Sequence, residues 1–231
     1  MKRGTLTGIG LGPGDPELIS LKGYKALQNA DLVFYPATSV KDGAVNSYSA
    51  AILDRLPVTP RSRPLLIPMT GKQREKRYRE AYRQIRDEID RGMNVAVVSE
   101  GDLLFYSTFS HLLKLAKADG VVCTLIPGVP AFVAAGSLGY LPIADGNTGL
   151  QVIAKPESFE QLQQALEQKM TLVVMKMSVL DGWYDFLKSV NRSFLYAEQV
   201  GSLNQFVTTS AGDLRFRKVP YFSLIIFYEY Q

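Results

Sequence analysis

The sequence predicts an α/β protein of two domains, the first built on a mostly parallel sheet and the second on a mixed one. Three observations carry this. Short apolar runs rich in Val, Ile and aromatics alternate with amphipathic stretches in the first half, as in a parallel sheet covered on both faces. From about residue 150 a second series of such runs begins. Its last three follow one another with no helix long enough for a parallel crossover, which calls for antiparallel pairing.

In the first half, strands are expected over residues 5–11, 31–35, 94–99 and 121–126, and helices over 16–29, 46–55, 73–91 and 105–117. Pro16 suits a first helical turn, with Asp15 before it as the cap. In the second half, strands are expected over 150–154, 171–176, 193–198, 205–210 and 221–228, and helices over 159–168 and 180–190. A boundary near 118–120 divides the chain into domains of residues 1–118 and 119–231. The active site is expected in the cleft between them, where ligand sites are common.

With 231 residues, 46% of them apolar and 21% charged, the chain can bury a packed core and does not read as disordered. It has no apolar run of about 18 residues, so no transmembrane helix is expected. The segment ahead of the first strand lacks the features of a signal peptide, which makes a cytoplasmic protein the expectation. One Cys and one His argue against a disulfide, a structural zinc site and a Ser-His-Asp hydrolase. Cys123 reads as a core residue of a buried strand, and His111 as a helix-surface residue. The positive charge is local. Residues 55–91 hold eleven Lys or Arg against five Asp or Glu, whereas the whole chain carries only +4. Such a segment is either a solvated helix face, with Tyr78, Ala81, Tyr82, Ile85 and Ile89 at helical spacing inside it, or a surface for a polyanion. Arg61 and Arg63, in the proline-bounded stretch before the helix, fit a helix surface less well.

Three loops carry the chemistry. The first, Gly8-Ile-Gly-Leu-Gly-Pro-Gly-Asp15, stands between a strand and a helix, where small residues let a ligand approach the backbone. It is not a dinucleotide loop: a Gly-x-Gly-x-x-Gly frame from Gly8 meets Pro13, and one from Gly10 meets Asp15. No Gly-Lys-Ser/Thr follows, and Asp15 and Glu17 would repel a phosphate. The second loop, Ser99-Glu-Gly-Asp102, ends an apolar strand. Its Asp102 reads either as the cap of the next helix or as an acceptor for a ligand's hydroxyl or amino group. The third, Pro127-Gly-Val-Pro-Ala131, is either a structural turn or a place where a flat ring packs against Ala131.

These segments, together with Tyr106-Ser-Thr108 and Pro220-Tyr-Phe-Ser-Leu-Ile-Ile226, resemble the tetrapyrrole methylase family of S-adenosylmethionine-dependent enzymes. Asp31-Leu-Val-Phe-Tyr-Pro36, Ile67-Pro-Met-Thr70 with Arg74, Tyr106-Ser-Thr-Phe109 and Met175-Lys176 look like its precorrin-2 or cobalt-factor II C20-methyltransferase branch. The likeness runs from Thr7 to Ile226. It implies the class III methyltransferase fold, with Glu100, Gly101, Asp102, Tyr106, Thr108, Pro130, Ala131, Met175 and Lys176 as the cofactor-binding set. It implies Pro13, Tyr35, Arg61, Arg63 and Arg74 on the substrate side, where arginines would meet the carboxylates of the macrocycle. Asp15 is the candidate catalytic residue, with helix capping as the equally simple alternative. A homodimer is implied too, with a tetrapyrrole substrate that either carries cobalt or does not. No nucleic-acid or membrane partner is expected.

The chain departs from the family pattern twice. Leu103 stands where the family has proline, which loosens the loop on this reading, and Pro130 replaces a Ser or Thr. Two other readings stay open: a sibling methylase acting at another carbon or on uroporphyrinogen III, and a nucleic-acid-binding protein or ribosomal-RNA methylase of the same fold.

Overall fold

In the computed structural model, residues 3–39, 45–57, 60–67 and 74–229 are described. The chain divides into two compact units, Met1–Pro130 and Ala131–Gln231. Both are α/β.

The first unit is a six-stranded sheet ordered β3-β2-β5-β1-β6, with β4 also beside β2. Its strands are β1 (Leu6–Gly10), β2 (Leu32–Ser39), β3 (Val45–Asn46), β4 (Ser62–Leu66), β5 (Val95–Ser99) and β6 (Cys123–Ile126). All neighbours run parallel except the β2–β3 pair. Strict alternation along β5 shows why an apolar run becomes a central strand. Val95 and Val97 enter one core, together with Tyr78, Ile85 and Ile89 of α3 (Arg74–Asp90) and Phe109 and Leu112 of α4 (Phe109–Ala118). Ala96 and Val98 enter the other, with Leu27 of α1 (Leu21–Gln28) and Ile52 and Leu53 of α2 (Tyr48–Leu53). Both faces are dry, so the strand is apolar throughout.

The second unit is a five-stranded sheet ordered β10-β9-β11-β8-β7. Strands β7 (Gly149–Ile153) and β8 (Met170–Met175) are parallel, joined through α6 (Phe159–Leu166). The remaining pairs among β8, β9 (Phe194–Glu198), β10 (Phe206–Thr208) and β11 (Ser223–Phe227) are antiparallel, as the short connections require. One face packs on α6 and α7 (Trp183–Ser189), where Trp183, Phe186 and Phe227 meet edge to face. The helix α5 (Ala131–Gly139) contacts β9 and β11.

Five expectations need correction. The helix expected over 16–29 is a 3-10 turn at Pro16–Leu18 and then α1, because Ile19 is extended and the Ser20 hydroxyl accepts from Gly23 N–H to start the second helix. The stretch around Arg61 and Arg63 is β4, a strand unforeseen from its prolines and charges. The helix expected over 180–190 begins only at Trp183. Strand β6 is not buried: it is an edge strand, Val122 before it is 87% exposed, and Cys123 is only partly covered. Its pairing with β1 also carries the first unit through Pro130, beyond the expected boundary at 118–120. Burial still pushes the Cys123 thiol up, with Lys117 opposing. Among the described residues, no helix is long and apolar enough to cross a membrane.

Candidate active site

Three bends meet at the carboxyl edge of the first sheet, after β1, β5 and β6. Glycine makes the meeting possible. A Cβ on Gly10 would lie 2.5 Å from the Gly128 nitrogen, and one on Gly128 would lie 2.2 Å from the Gly101 carbonyl oxygen. Gly12 and Gly101, at φ of +77° and +63°, pair as an antiparallel bridge with N–H to O distances of 3.2 and 2.7 Å. Arg55, just beyond α2, donates to the Gly14 carbonyl at 3.0 Å and holds the first bend from the side.

Asp102 joins two of these bends. Its Oδ1 accepts from Leu104 N–H at 2.9 Å and its Oδ2 from Gly128 N–H at 3.0 Å. Leu103, at the place of the family's proline, is buried in the core shared with α3 and α4. Beyond it, Tyr106 takes a left-handed conformation at φ +53° and is 56% exposed, next to exposed Leu104. A non-glycine residue held there costs of order 1 kcal/mol. The Ser99 and Ser107 hydroxyls lie 2.6 Å apart, and Ser107 also accepts from Phe109 N–H, doing the capping that Thr108 does not.

Glu100 points to the other face of the sheet. Protein surrounds it, yet it keeps partial solvent access. Burial raises its pKa; its own backbone N–H and the hydroxyl and N–H of Ser49 offset part of this. An acid held above its ordinary value gives the folded state the tighter grip on the proton. Its contribution therefore turns unfavourable as pH rises through the ordinary carboxylate range toward the folded value. Glu100→Gln is expected to raise the urea midpoint relative to wild type more at pH 8 than at pH 4. A difference independent of pH would refute the assignment.

The other candidates separate by position. Pro13 is buried, and Tyr35 packs half-buried against the core beneath α1 and α2. Asp15 accepts from Glu17 N–H at 3.0 Å and caps the 3-10 turn. Arg63 pairs with Glu88 of α3 at 2.9 Å, while Arg61 is level with the start of β5, at the edge away from the bends. Because β4 runs parallel to β2, residues at its start lie toward the edge of the sheet opposite the bends. Arg74, at the first turn of α3, remains on the side of the bends. Its Nε donates to Tyr78 Oη at 3.0 Å, and Tyr78 stacks on His111 at 4.3 Å. His111 lies on the exposed face of α4; its pKa is lowered by burial and then by Arg74 and Lys114, with Glu75 opposing. Arg77, Arg86 and Arg91 each pair with a carboxylate, as on a solvated helix face. Residues 68–70 of the Ile67-Pro-Met-Thr70 motif lie outside the described residues.

Pro130 closes the first unit and Ala131 opens α5 of the second. Met175 ends β8, and Lys176 follows at φ +55° with its Nζ 5.8 Å from the Tyr221 ring centre. Sequence reasoning missed Ser49, Arg55 and Ser107. Ser49 carries no motif, Ser107 sits inside the Tyr106-Ser-Thr108 segment without being singled out there, and an arginine's target on another element is not visible along the chain.

The fold has counterparts among solved structures. The X-ray structure of a cobalamin biosynthetic enzyme, cobalt precorrin-4 methyltransferase CbiF, matches with a TM-score of 0.71 and 24% identity over 97% of this chain and 94% of that one. Uroporphyrin-III C-methyl transferase from Thermus thermophilus, complexed with S-adenosylhomocysteine, matches with a TM-score of 0.67 and 21% identity over 98% of both chains. The fold is thus that of two-unit α/β methyltransferases.

The family model for Tetrapyrrole (Corrin/Porphyrin) Methylases matches residues 5–215, and the chain belongs to that family. The precorrin-2 C(20)-methyltransferase of a Sinorhizobium species is 30% identical over 96% of this chain and 94% of its own length. The cobalamin biosynthesis protein CobIJ of Mycobacterium tuberculosis is 32% identical over 96% of this chain, which spans 45% of that longer protein. The cobalt-precorrin-2 C(20)-methyltransferase of Salmonella typhimurium is 27% identical over 75% of this chain and 73% of its own length.

Proposed function

We propose that the protein transfers a methyl group from S-adenosylmethionine to C20 of precorrin-2 or its cobalt-bearing counterpart, in the formation of the corrin ring. The observation that carries this reading is the end-to-end match to the Sinorhizobium C(20)-methyltransferase, at 30% identity over nearly all of both chains. The glycine-bearing bends around Asp102 supply the edge on which the cofactor would rest. When bound, S-adenosylmethionine supplies a methyl group made electrophilic by its sulfonium.

The chain's own part is binding, orientation and exclusion of water. Gly101 and Gly128 keep the backbone open to close approach, and Leu104 and Tyr106 offer apolar walls. Lys176, in its left-handed turn, and Met175 are further candidates for contact with the nucleoside. Holding donor and acceptor carbon in line supplies roughly 7–11 kcal/mol of the barrier reduction available to such a reaction. Arg74 is our candidate for meeting a substrate carboxylate. Its replacement by alanine should raise KM for the tetrapyrrole about tenfold, the worth of one charge-assisted hydrogen bond. Arg61→Ala should leave KM unchanged, and equal effects of the two would remove Arg74 from the site.

The decisive experiment incubates the protein with labelled S-adenosylmethionine and, separately, precorrin-2, cobalt-factor II and uroporphyrinogen III. Product NMR then locates the label. Label at C20 supports the proposal, and the faster substrate settles the metal state. Label at C11 would favour a relative such as the cobalt-precorrin-4 C(11)-methyltransferase of Priestia megaterium, 26% identical over 82% of this chain, and would overturn it.

A further inference from the structure

We infer that Asp102 is a positioning residue: it clamps the bend after β5 to the bend after β6 and acts on the bound cofactor through that geometry, not by touching it. This rests on the cofactor reading above for its functional part, and on the free protein for its structural part.

The carboxylate oxygens divide their work. Oδ1 turns the local chain by accepting from Leu104 N–H, two residues on, the Asx-turn geometry that fixes a tight bend. Oδ2 crosses to Gly128 N–H, 26 residues away on another loop. Among the described residues Asp102 forms no ion pair, so two backbone amides meet its charge. Charge-assisted bonds of this kind are the stronger ones. Gly128 also has little room, since a Cβ there would lie 2.2 Å from the Gly101 carbonyl oxygen and 2.8–2.9 Å from Gly10 backbone atoms. A bond to its N–H therefore sets the spacing of all three bends. Leu103 seals the same loop into the core from beneath. The segment that follows, through exposed Leu104 and strained Tyr106, is held at its base by Asp102.

A residue that contacts the amino-acid part of a cofactor and one that holds the loop predict different patterns. The probes are S-adenosylhomocysteine and methylthioadenosine, which share the nucleoside and thioether and differ in the amino-acid part. Their binding to wild type, Asp102→Ala and Asp102→Asn is measured by calorimetry. The clamp predicts that Asp102→Ala weakens both probes by the same factor, about tenfold or more, with Asp102→Asn intermediate for both because it keeps one acceptor. Loss confined to S-adenosylhomocysteine, or no loss for either, overturns it. If wild type binds neither probe, the cofactor reading fails and a second measurement judges the clamp. In the free protein, amide exchange at Gly128 and Leu104 should accelerate at least tenfold in Asp102→Ala relative to Val97 and Val98 of β5. Unchanged protection at both amides would overturn the clamp whatever the ligands do.

Discussion

Gly128→Ala is expected to cost the first unit about 3 kcal/mol or more and to abolish measurable binding of S-adenosylhomocysteine. The added methyl would stand 2.2 Å from the Gly101 carbonyl oxygen and 2.8–2.9 Å from Gly10 backbone atoms. None of these can swing away as a side-chain tip would, so the bends must separate. Overpacking of this kind typically costs 1–3 kcal/mol when side chains give way, and backbone obstruction belongs at or beyond the upper end of about 3 kcal/mol. Gly120→Ala is the control. Nothing lies within 4 Å of a Cβ there, but φ is +65°, so it should cost only about 1–2 kcal/mol and leave ligand binding intact. Urea titrations of both variants with a binding isotherm check the prediction. It fails if Gly128→Ala is no worse than Gly120→Ala.

Arg217→Met should markedly destabilise the second unit. Glu198 keeps only 4% of its side-chain surface exposed, and Arg217 grips it with two bonds of 2.7 and 2.8 Å. The Tyr196 hydroxyl donates to the same carboxylate, and the guanidinium lies 3.6 Å above the Phe206 ring centre. Burial, then the hydrogen bond and charge of Glu198, raise the Tyr196 phenol above its ordinary range, so it stays a donor. Removing Arg217 strands a buried carboxylate. Breaking a buried pair costs about 3–5 kcal/mol, and with Arg217 itself about a third exposed the lower end, about 3 kcal/mol, is expected. That corresponds to a fall in Tm of roughly 6–12 °C. Arg217→Lys keeps the charge without the fork and should fall between. The double variant Arg217→Met with Glu198→Gln should recover part of the loss, because no unpaired charge is left. A single-variant loss below about 1 kcal/mol would show the pair to be dispensable.

The sequence makes some elements legible and hides others for definite reasons. β1 and β5 are readable because a strand covered on both faces must be largely apolar, as Leu6 and Ile9 of β1 and Val95 to Val98 of β5 are. α3 is readable because one face is apolar at helical spacing and the other is charged. β4 escapes notice because it is an edge strand with one neighbour, β2, and only Leu65 fully in the core, so Arg63 and Pro64 are tolerated in it. The break at Ile19 is signalled only by Ser20, which looks like any helical serine until its hydroxyl is seen to cap α1.

The candidate site divides in the same way. Residue types settled which chemistry was available: glycines where backbones must touch, a carboxylate beside them, a likeness of motifs along nearly the whole chain, and a composition suited to a folded α/β core. Those properties are local, and a string of residues expresses them directly. Which groups meet was decided only by the fold. Asp102 reaches Gly128 across 26 residues and Arg63 pairs with Glu88 of α3, because side-chain direction and strand register depend on long-range packing that no neighbouring residue records.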